Sequence, residues 1–140
     1  MARIAAKTAF TVGLLVLLMA VPAFASVNKS VKIDDGAESD GASSVNGSIT
    51  VGDNAVVTGE LGTVNGSIRV GSGAEIRDAE TVNGKLRLGD GVSARNLSTV
   101  NGSVKVDTGS AIDGGIDTVN GSISLAEDVT VSGDVGNVNG

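Results

Sequence analysis

The tripeptide Val-Asn-Gly recurs at a nearly fixed interval along this 140-residue chain. Complete copies begin at Val45, Val64, Val82, Val100, Val119 and Val138, and Val27-Asn28-Lys29 is a degenerate earlier copy. The asparagines of the seven copies lie 18 or 19 residues apart, at Asn28, Asn46, Asn65, Asn83, Asn101, Asn120 and Asn139. A fixed period near 20 residues indicates one structural unit that is repeated and stacked on its neighbours.

Within each repeat, aliphatic residues alternate with polar ones in two short segments. Counted from the asparagine, positions +3 and +5 form the first aliphatic pair, as in Ile68 and Val70. Positions +9 and +11 form the second pair, as in Ala74 and Ile76. A further small or aliphatic residue follows at +14 or +15, and the valine before the next asparagine completes the predicted set of buried columns. Alternation with a period of two is typical of a strand that buries one face.

Three short strands in 18 or 19 residues predict one triangular rung of a parallel β-helix, so we expect an all-β solenoid in a single domain. Glycine at +6 and the Asn-Gly pair fall where turns belong, since both residue types tolerate positive φ. The variable length before +14 or +15 favours a right-handed coil over a left-handed hexapeptide helix. Residues 26–140 would form six complete rungs and the start of a seventh, and we expect the chain to be a fragment of a longer protein.

The first 25 residues have the pattern of a secretory signal peptide. Arg3 and Lys7 precede an apolar stretch at 10–20, and Ala23-Phe24-Ala25 offers a small-x-small cleavage site. We expect export to the periplasm or the cell surface, with no membrane span after cleavage. Cleavage leaves eight basic and sixteen acidic residues, a net charge of −8. This charge disfavours nucleic acid as a partner.

Residues 26–140 offer few groups for catalysis. They contain no His and no Cys, which removes the usual general base, the thiol nucleophile and the commonest metal ligands. They also contain no aromatic residue that could hold a sugar by stacking. We therefore predict a protein that is not an enzyme and that has no cofactor and no metal site.

Two repeated columns are candidates for a special role. The asparagine column is best explained as a structural ladder of stacked side-chain amides. Position +4 faces outward between two buried positions and is mostly basic, with Lys32, Arg69, Arg87 and Lys105 in the column and Lys85 nearby at +2. This basic stripe predicts binding to an anionic envelope polymer. The alternative is an ordinary solvated strand face.

Two other columns have simpler explanations. Position +7 is often acidic, as at Asp35 and Asp53, and would either hold calcium or cap a turn. Position −2 reads Ser44, Thr63, Thr81, Thr99, Thr118 and Asn137. Each of these residues is expected to point the same way as the asparagine two positions later, giving a flat Thr-x-Asn array similar to the hydroxyl arrays of ice-binding β-helices. The preference of threonine for strands explains the same column without a ligand.

The repeated Thr-Val-Asn-Gly-Ser-Ile-x-Val, clearest at 63–70, 99–106 and 118–125, resembles the adhesin β-repeat family of exported bacterial proteins from Val27 onward. That resemblance implies surface attachment. The coil size and the aliphatic core are also similar to those of bactofilins, polymer-forming β-helix proteins that act without a signal peptide. The leading hypothesis is an exported, non-enzymatic β-solenoid that is a structural or adhesive envelope protein. The alternatives are a self-assembling polymer in which rungs stack head to tail and an ice-binding protein.

Overall fold

The computed structural model describes residues 25, 26 and 28–140 of the chain. The predicted leader, residues 1–25, lies outside this part except for Ala25, which pairs with Ser43. The described residues form 18 short strands and no helix. All the strand pairs are parallel, and the strands stack as a β-solenoid of about six turns in a single domain. The predicted fold class is therefore confirmed.

Three stacks of strands form the faces of the solenoid. Sheet A contains the strands that lead into each asparagine: β1 (Ala25–Ser26), β4 (Ala42–Ser44), β7 (Glu60–Asn65), β9 (Asp78–Asn83), β12 (Asn96–Asn101), β15 (Ile116–Asn120) and β18 (Val135–Asn139). Sheet B contains the strands that follow the asparagine: β2 (Val31–Ile33), β5 (Ile49–Val51), β8 (Ile68–Val70), β10 (Leu86–Leu88), β13 (Val104–Val106) and β16 (Ile123–Leu125).

Sheet C contains the shortest strands, which lie between those of sheets B and A in each rung. They are β3 (Glu38–Ser39), β6 (Val56–Val57), β11 (Ser93–Ala94), β14 (Ala111–Ile112) and β17 (Thr130–Val131). Strands β3 and β6 pair with each other, and β11, β14 and β17 form a second group. Single bridges from Glu75 to Val56 and to Ser93 connect the two groups. Each complete rung thus contributes one segment to every face.

The core consists of aliphatic columns that the strand register aligns. Ile49, Ile68 and Leu86 are paired in successive rungs of sheet B, and none of the three is exposed. Positions +3, +5, +9, +11 and +14 or +15 all supply buried residues in the inner rungs, as the alternation predicted. Full burial of one such side chain stabilises the folded chain by about 1.5–3 kcal/mol relative to leaving it exposed. The stacked columns are therefore the main source of stability.

Threonine takes the inward place that was predicted for valine. Thr63, Thr81, Thr99 and Thr118 are at most 2% exposed, whereas the valines that follow the first three, at 64, 82 and 100, are partly exposed. The prediction that these valines complete the buried set is wrong. Sheet A pairs Thr63 with Thr81 and Asn65 with Asn83 but skips Val64. The regular alternation is interrupted at the valine, so the threonine and the asparagine no longer share a face.

Apart from Asn28, which has a φ of 58°, the positions with positive φ also differ from the expected ones. Neither the glycines at +6 nor those of Asn-Gly have positive φ. The left-handed conformation occurs instead at +8 in every rung: Gly36, Asn54, Gly73, Gly91, Gly109 and Asp128. Gly, Asn and Asp are the residues that tolerate this conformation best. The turn between sheets B and C therefore selects them at this column.

The Asn-Gly glycines are required by a close approach between rungs. A Cβ atom at Gly84 would overlap the carbonyl oxygen of Gly66, and one at Gly102 would overlap that of Gly84. The Gly66 carbonyl also accepts a hydrogen bond from Thr81 Oγ1 at 3.0 Å. The glycine column therefore lets one rung pack directly on the backbone of the previous rung.

The extra residue of the 19-residue repeats lies at the corner between sheets C and A, where the variable spacing placed it. Gly59 follows Thr58 there, whereas Ile76-Arg77-Asp78 passes the same corner with one residue fewer. Leu61 still pairs with Ala79. The insertion is confined to the corner, so the core register and the outward columns of every face are preserved.

Candidate functional site

The basic residues at +4 form one column on the outer face of sheet B. Strand pairing aligns Lys32 with Thr50, Thr50 with Arg69, Arg69 with Arg87, Arg87 with Lys105, and Lys105 with Ser124. Each basic side chain is exposed between two inward-facing residues of its strand. The structure thus brings together all four cations of the predicted stripe, and neighbouring rungs are about 4.8 Å apart.

The cations of this column differ in their ion pairing. Lys32 Nζ lies 3.5 Å from Asp34 Oδ1, and Lys105 Nζ lies 3.7 Å from Asp107 Oδ1. Among the described residues, no carboxylate pairs within 4.0 Å with Arg69, Arg87 or Lys85. Exposed ion pairs contribute little to stability. The centre of the stripe therefore carries unneutralised positive charge.

A second column, at +2, runs beside the basic one and was missed in the sequence analysis apart from Lys85. It is mostly serine: Ser30, Ser48, Ser67, Lys85, Ser103 and Ser122. Ser103 Oγ lies 3.2 Å from Ser122 Oγ. The signal was present in the sequence, because serine follows Asn-Gly in most of the repeats. Its meaning depends on the neighbouring basic column, which only the strand register aligns.

A shallow groove of about 360 Å³ lies between these two columns. We call it the serine–cation groove, and its floor runs over strands β8, β10 and β13. The side chains at its walls are Ser67, Arg69, Lys85, Arg87, Ser103, Lys105 and Ser124. No carboxylate of the described part of the chain lines it. The groove therefore presents hydroxyl groups and cations together, which suits an anionic ligand rich in hydroxyl groups.

The opposite side of the basic column is chemically different. There a groove of about 320 Å³ is lined by Lys32, Arg69 and Arg87 but also by Asp35 and Asp53. The Oδ1 atom of Asp35 accepts a hydrogen bond from the backbone N–H of Asp53 at 3.0 Å, and that of Asp53 accepts one from Ser72 at 2.8 Å. The +7 carboxylates thus cap turns between rungs. The described residues contain no group of three side chains suited to a metal ion.

The seven predicted asparagines form one continuous ladder at the corner between sheets A and B. In each step the Nδ2 atom donates to the Oδ1 atom of the asparagine one rung earlier, at 2.7–3.1 Å. The ladder runs from Asn28 to Asn139 and is exposed to solvent. Its amides bind one another, so the geometry assigns the column a structural role in holding the rungs in register.

The array expected at position −2 is absent from the described surface. Thr63 Oγ1 donates to the Gly47 carbonyl at 2.9 Å, and Thr81 Oγ1 donates to the Gly66 carbonyl at 3.0 Å. Both threonines are buried. The prediction of an outward Thr-x-Asn array is therefore wrong, and the ice-binding hypothesis loses the surface on which it was based.

Sheet A contains one buried acid that the sequence analysis did not single out. Glu80 pairs with Gly62 and Ser98 in the neighbouring strands and is 6% exposed. Its Oε1 atom has no hydrogen-bond partner among the described residues. Burial, followed by the nearby Glu60 and Asp78 carboxylates, raises the pKa of Glu80 to about 8. Glu80 is thus largely a neutral carboxylic acid at pH 7.

Comparison with known proteins supplies no assignment for this site. No protein-family model, no curated protein and no solved structure matches the chain. None of the described residues belongs to a helix that could cross a membrane. Fold and site together define a β-solenoid with one basic, hydroxyl-bearing face.

Proposed function

We propose that this chain is an exported, non-enzymatic β-solenoid of the bacterial envelope that acts as a spacer and attaches through the basic stripe to an anionic envelope polymer. The leader-like residues 1–25 support the export, and the basic stripe supports the attachment. Six rungs of about 4.8 Å make a rod of roughly 29 Å.

The observation that carries the proposal is the column of cations on sheet B. Arg69 and Arg87 are paired in adjacent rungs and have no carboxylate partner among the described residues. The whole chain carries a net charge of −6. A local row of positive charge on an acidic protein attracts anions to one face only. Binding along that face would leave the other faces of the rod uncovered by the polymer.

Replacing Arg69 and Arg87 with Ser is expected to weaken attachment of the protein to isolated envelope material by roughly tenfold, since each exposed contact contributes up to about 1 kcal/mol. Attachment of the unchanged protein should fall as ionic strength rises. The measurement is the fraction of protein that sediments with the envelope across a salt series.

The matched control is Arg77→Ser with Arg95→Ser. These two arginines also lie one rung apart, since Arg95 N donates to the Arg77 carbonyl at 2.8 Å, and both are exposed outside the serine–cation groove. The control removes the same charge from another part of the surface and should retain attachment. An equal loss of attachment in both double variants would refute the role of the stripe. The absence of any loss in either variant would refute it too.

A second candidate function is head-to-tail assembly into a polymer, in which the rung formed by β16, β17 and β18 would stack on the first rung of another copy. Each of these strands has a neighbour on one side only among the described residues. Leu125, Val135 and Val138 are 39%, 49% and 72% exposed there. A second copy stacked in line would pair with the open edges and cover these side chains.

Head-to-tail assembly predicts filaments whose amount increases with protein concentration in electron micrographs and sedimentation profiles. Leu125→Asp together with Val135→Asp should suppress them, because the contact would then bury unpaired charge. Thr130→Asp is the control, since it adds charge on the same rung at an exposed polar position. A monomer at every concentration excludes the polymer.

A further inference from the structure

The two walls of the serine–cation groove offer complementary chemistry. Arg69, Arg87 and Lys105 supply charge on one side, and Ser67 and Ser103 supply hydroxyl groups on the other. Cations bind carboxylates by charge-assisted hydrogen bonds, and serine hydroxyls both donate and accept. A sugar acid has both a carboxylate and several hydroxyl groups, so one unit of it can satisfy both walls.

The spacing of the cations is set by the strand register. Arg69, Arg87 and Lys105 occupy paired positions in three successive strands, which places one cation every 4.8 Å or so along the solenoid axis. A chain of uronic acids carries one carboxylate on every sugar ring, a repeat of similar length. A polyol phosphate places its charges farther apart and would leave part of the row unpaired.

The shape and the surroundings of the groove restrict the ligand further. The second groove, on the far side of the cations, contains Asp35 and Asp53, and the protein as a whole is acidic. A wide polyanion on this face would meet those carboxylates, whereas a single thin chain stays between the serine and cation columns. Residues 26–140 have no aromatic side chain for stacking, so a neutral sugar would lack both charge and ring contacts.

We propose that the serine–cation groove binds a linear polyuronate that lies parallel to the solenoid axis, with one carboxylate at each rung. This inference rests on the proposed function and names the chemistry of its polymer. The binding row spans the three rungs of Arg69, Arg87 and Lys105, and Lys85 adds a cation from the serine side.

Calorimetric titration of the whole chain with oligouronates of increasing length tests the inference. The affinity should rise by roughly fivefold with each added sugar, the upper range for an exposed ion pair, and should level off once the oligomer spans the three rungs of the row. Ser67→Ala with Ser103→Ala should lower the affinity several-fold. Arg87→Gln should lower it too, whereas Arg95→Gln should leave it unchanged.

Three probes of other chemistry complete the experiment. Two of them, a polyol phosphate oligomer and a single-stranded oligonucleotide, carry the same charge as the oligouronate. The third is a neutral oligosaccharide. Binding of all three that is weaker than binding of the oligouronate supports the inference. Binding of any of them that equals that of the oligouronate overturns it. If no oligouronate binds while envelope attachment still depends on Arg69 and Arg87, this inference fails and the proposed function stands. If attachment to the envelope does not depend on either arginine, the proposed function itself fails.

Discussion

Gly84→Ala is expected to lower the free energy of unfolding by more than about 3 kcal/mol. The added Cβ would overlap the carbonyl oxygen of Gly66 in the previous rung, which is a backbone atom and not the end of a flexible side chain. Separating the rungs would also strain the hydrogen bond from Thr81 to that carbonyl and the ladder bond from Asn83 to Asn65. Denaturant titration followed by circular dichroism measures the loss.

The matched control for this prediction is Gly91→Ala. Gly91 has a φ of +65°, and a Cβ there would meet no atom within 4 Å. Its cost should be only the left-handed backbone penalty of about 1–2 kcal/mol. The two substitutions are chemically identical and separate close packing from backbone conformation. A Gly84→Ala variant that loses no more stability than Gly91→Ala would contradict the role assigned to the Asn-Gly glycines.

The repeat period and the alternation were sufficient to predict the fold. Ile68 and Val70, with the matching residues of other rungs, define columns whose spacing only stacked strands can bury together. The same register brings Arg69 and Arg87 into one outward row. Period and alternation depend only on counting along the chain, and a solenoid converts sequence spacing directly into spatial neighbours.

Local geometry at the corners could not be obtained in this way. Alternation places Thr63 and Asn65 on the same side, yet the interruption at Val64 turns one inward and the other outward. Glycine has two uses, positive φ and close approach, and composition does not distinguish Gly91 from Gly84. The distinction depends on the distance between backbones of adjacent rungs, which no single repeat contains.

The serine column and Glu80 illustrate a related difficulty, because their importance lies in their neighbours. Ser67 and Ser103 become part of a site only beside the arginines of the next column. Glu80 lies in a column with Gly62 and Ser98, where small residues are usual. In the sequence it is one acid among sixteen, and only its burial in the folded chain identifies it as exceptional.

Glu80 should make the protein lose stability as the pH rises through neutrality. The pKa of Glu80 is raised from 4.5 to about 8 in the folded chain, so the folded state holds a proton that the unfolded state has released. Stability is therefore greatest below pH 4.5 with respect to this group and falls until about pH 8. The slope reaches about 1.4 kcal/mol per pH unit. Burial is the larger cause, because a carboxylate loses its hydration there.

Glu80→Gln should abolish this dependence, because glutamine stays neutral while keeping nearly the same shape. Its stability relative to the unchanged protein should increase steadily from pH 6 to pH 8 and then level off above the pKa of about 8. Glu75→Gln is the control, since it removes an exposed carboxylate from the outer side of sheet C and should leave the loss of stability with rising pH in place. Denaturation at a series of pH values measures both variants. A difference between Glu80→Gln and the unchanged protein that stays constant with pH would mean that the Glu80 carboxyl ionises in the folded state as it does in the unfolded one.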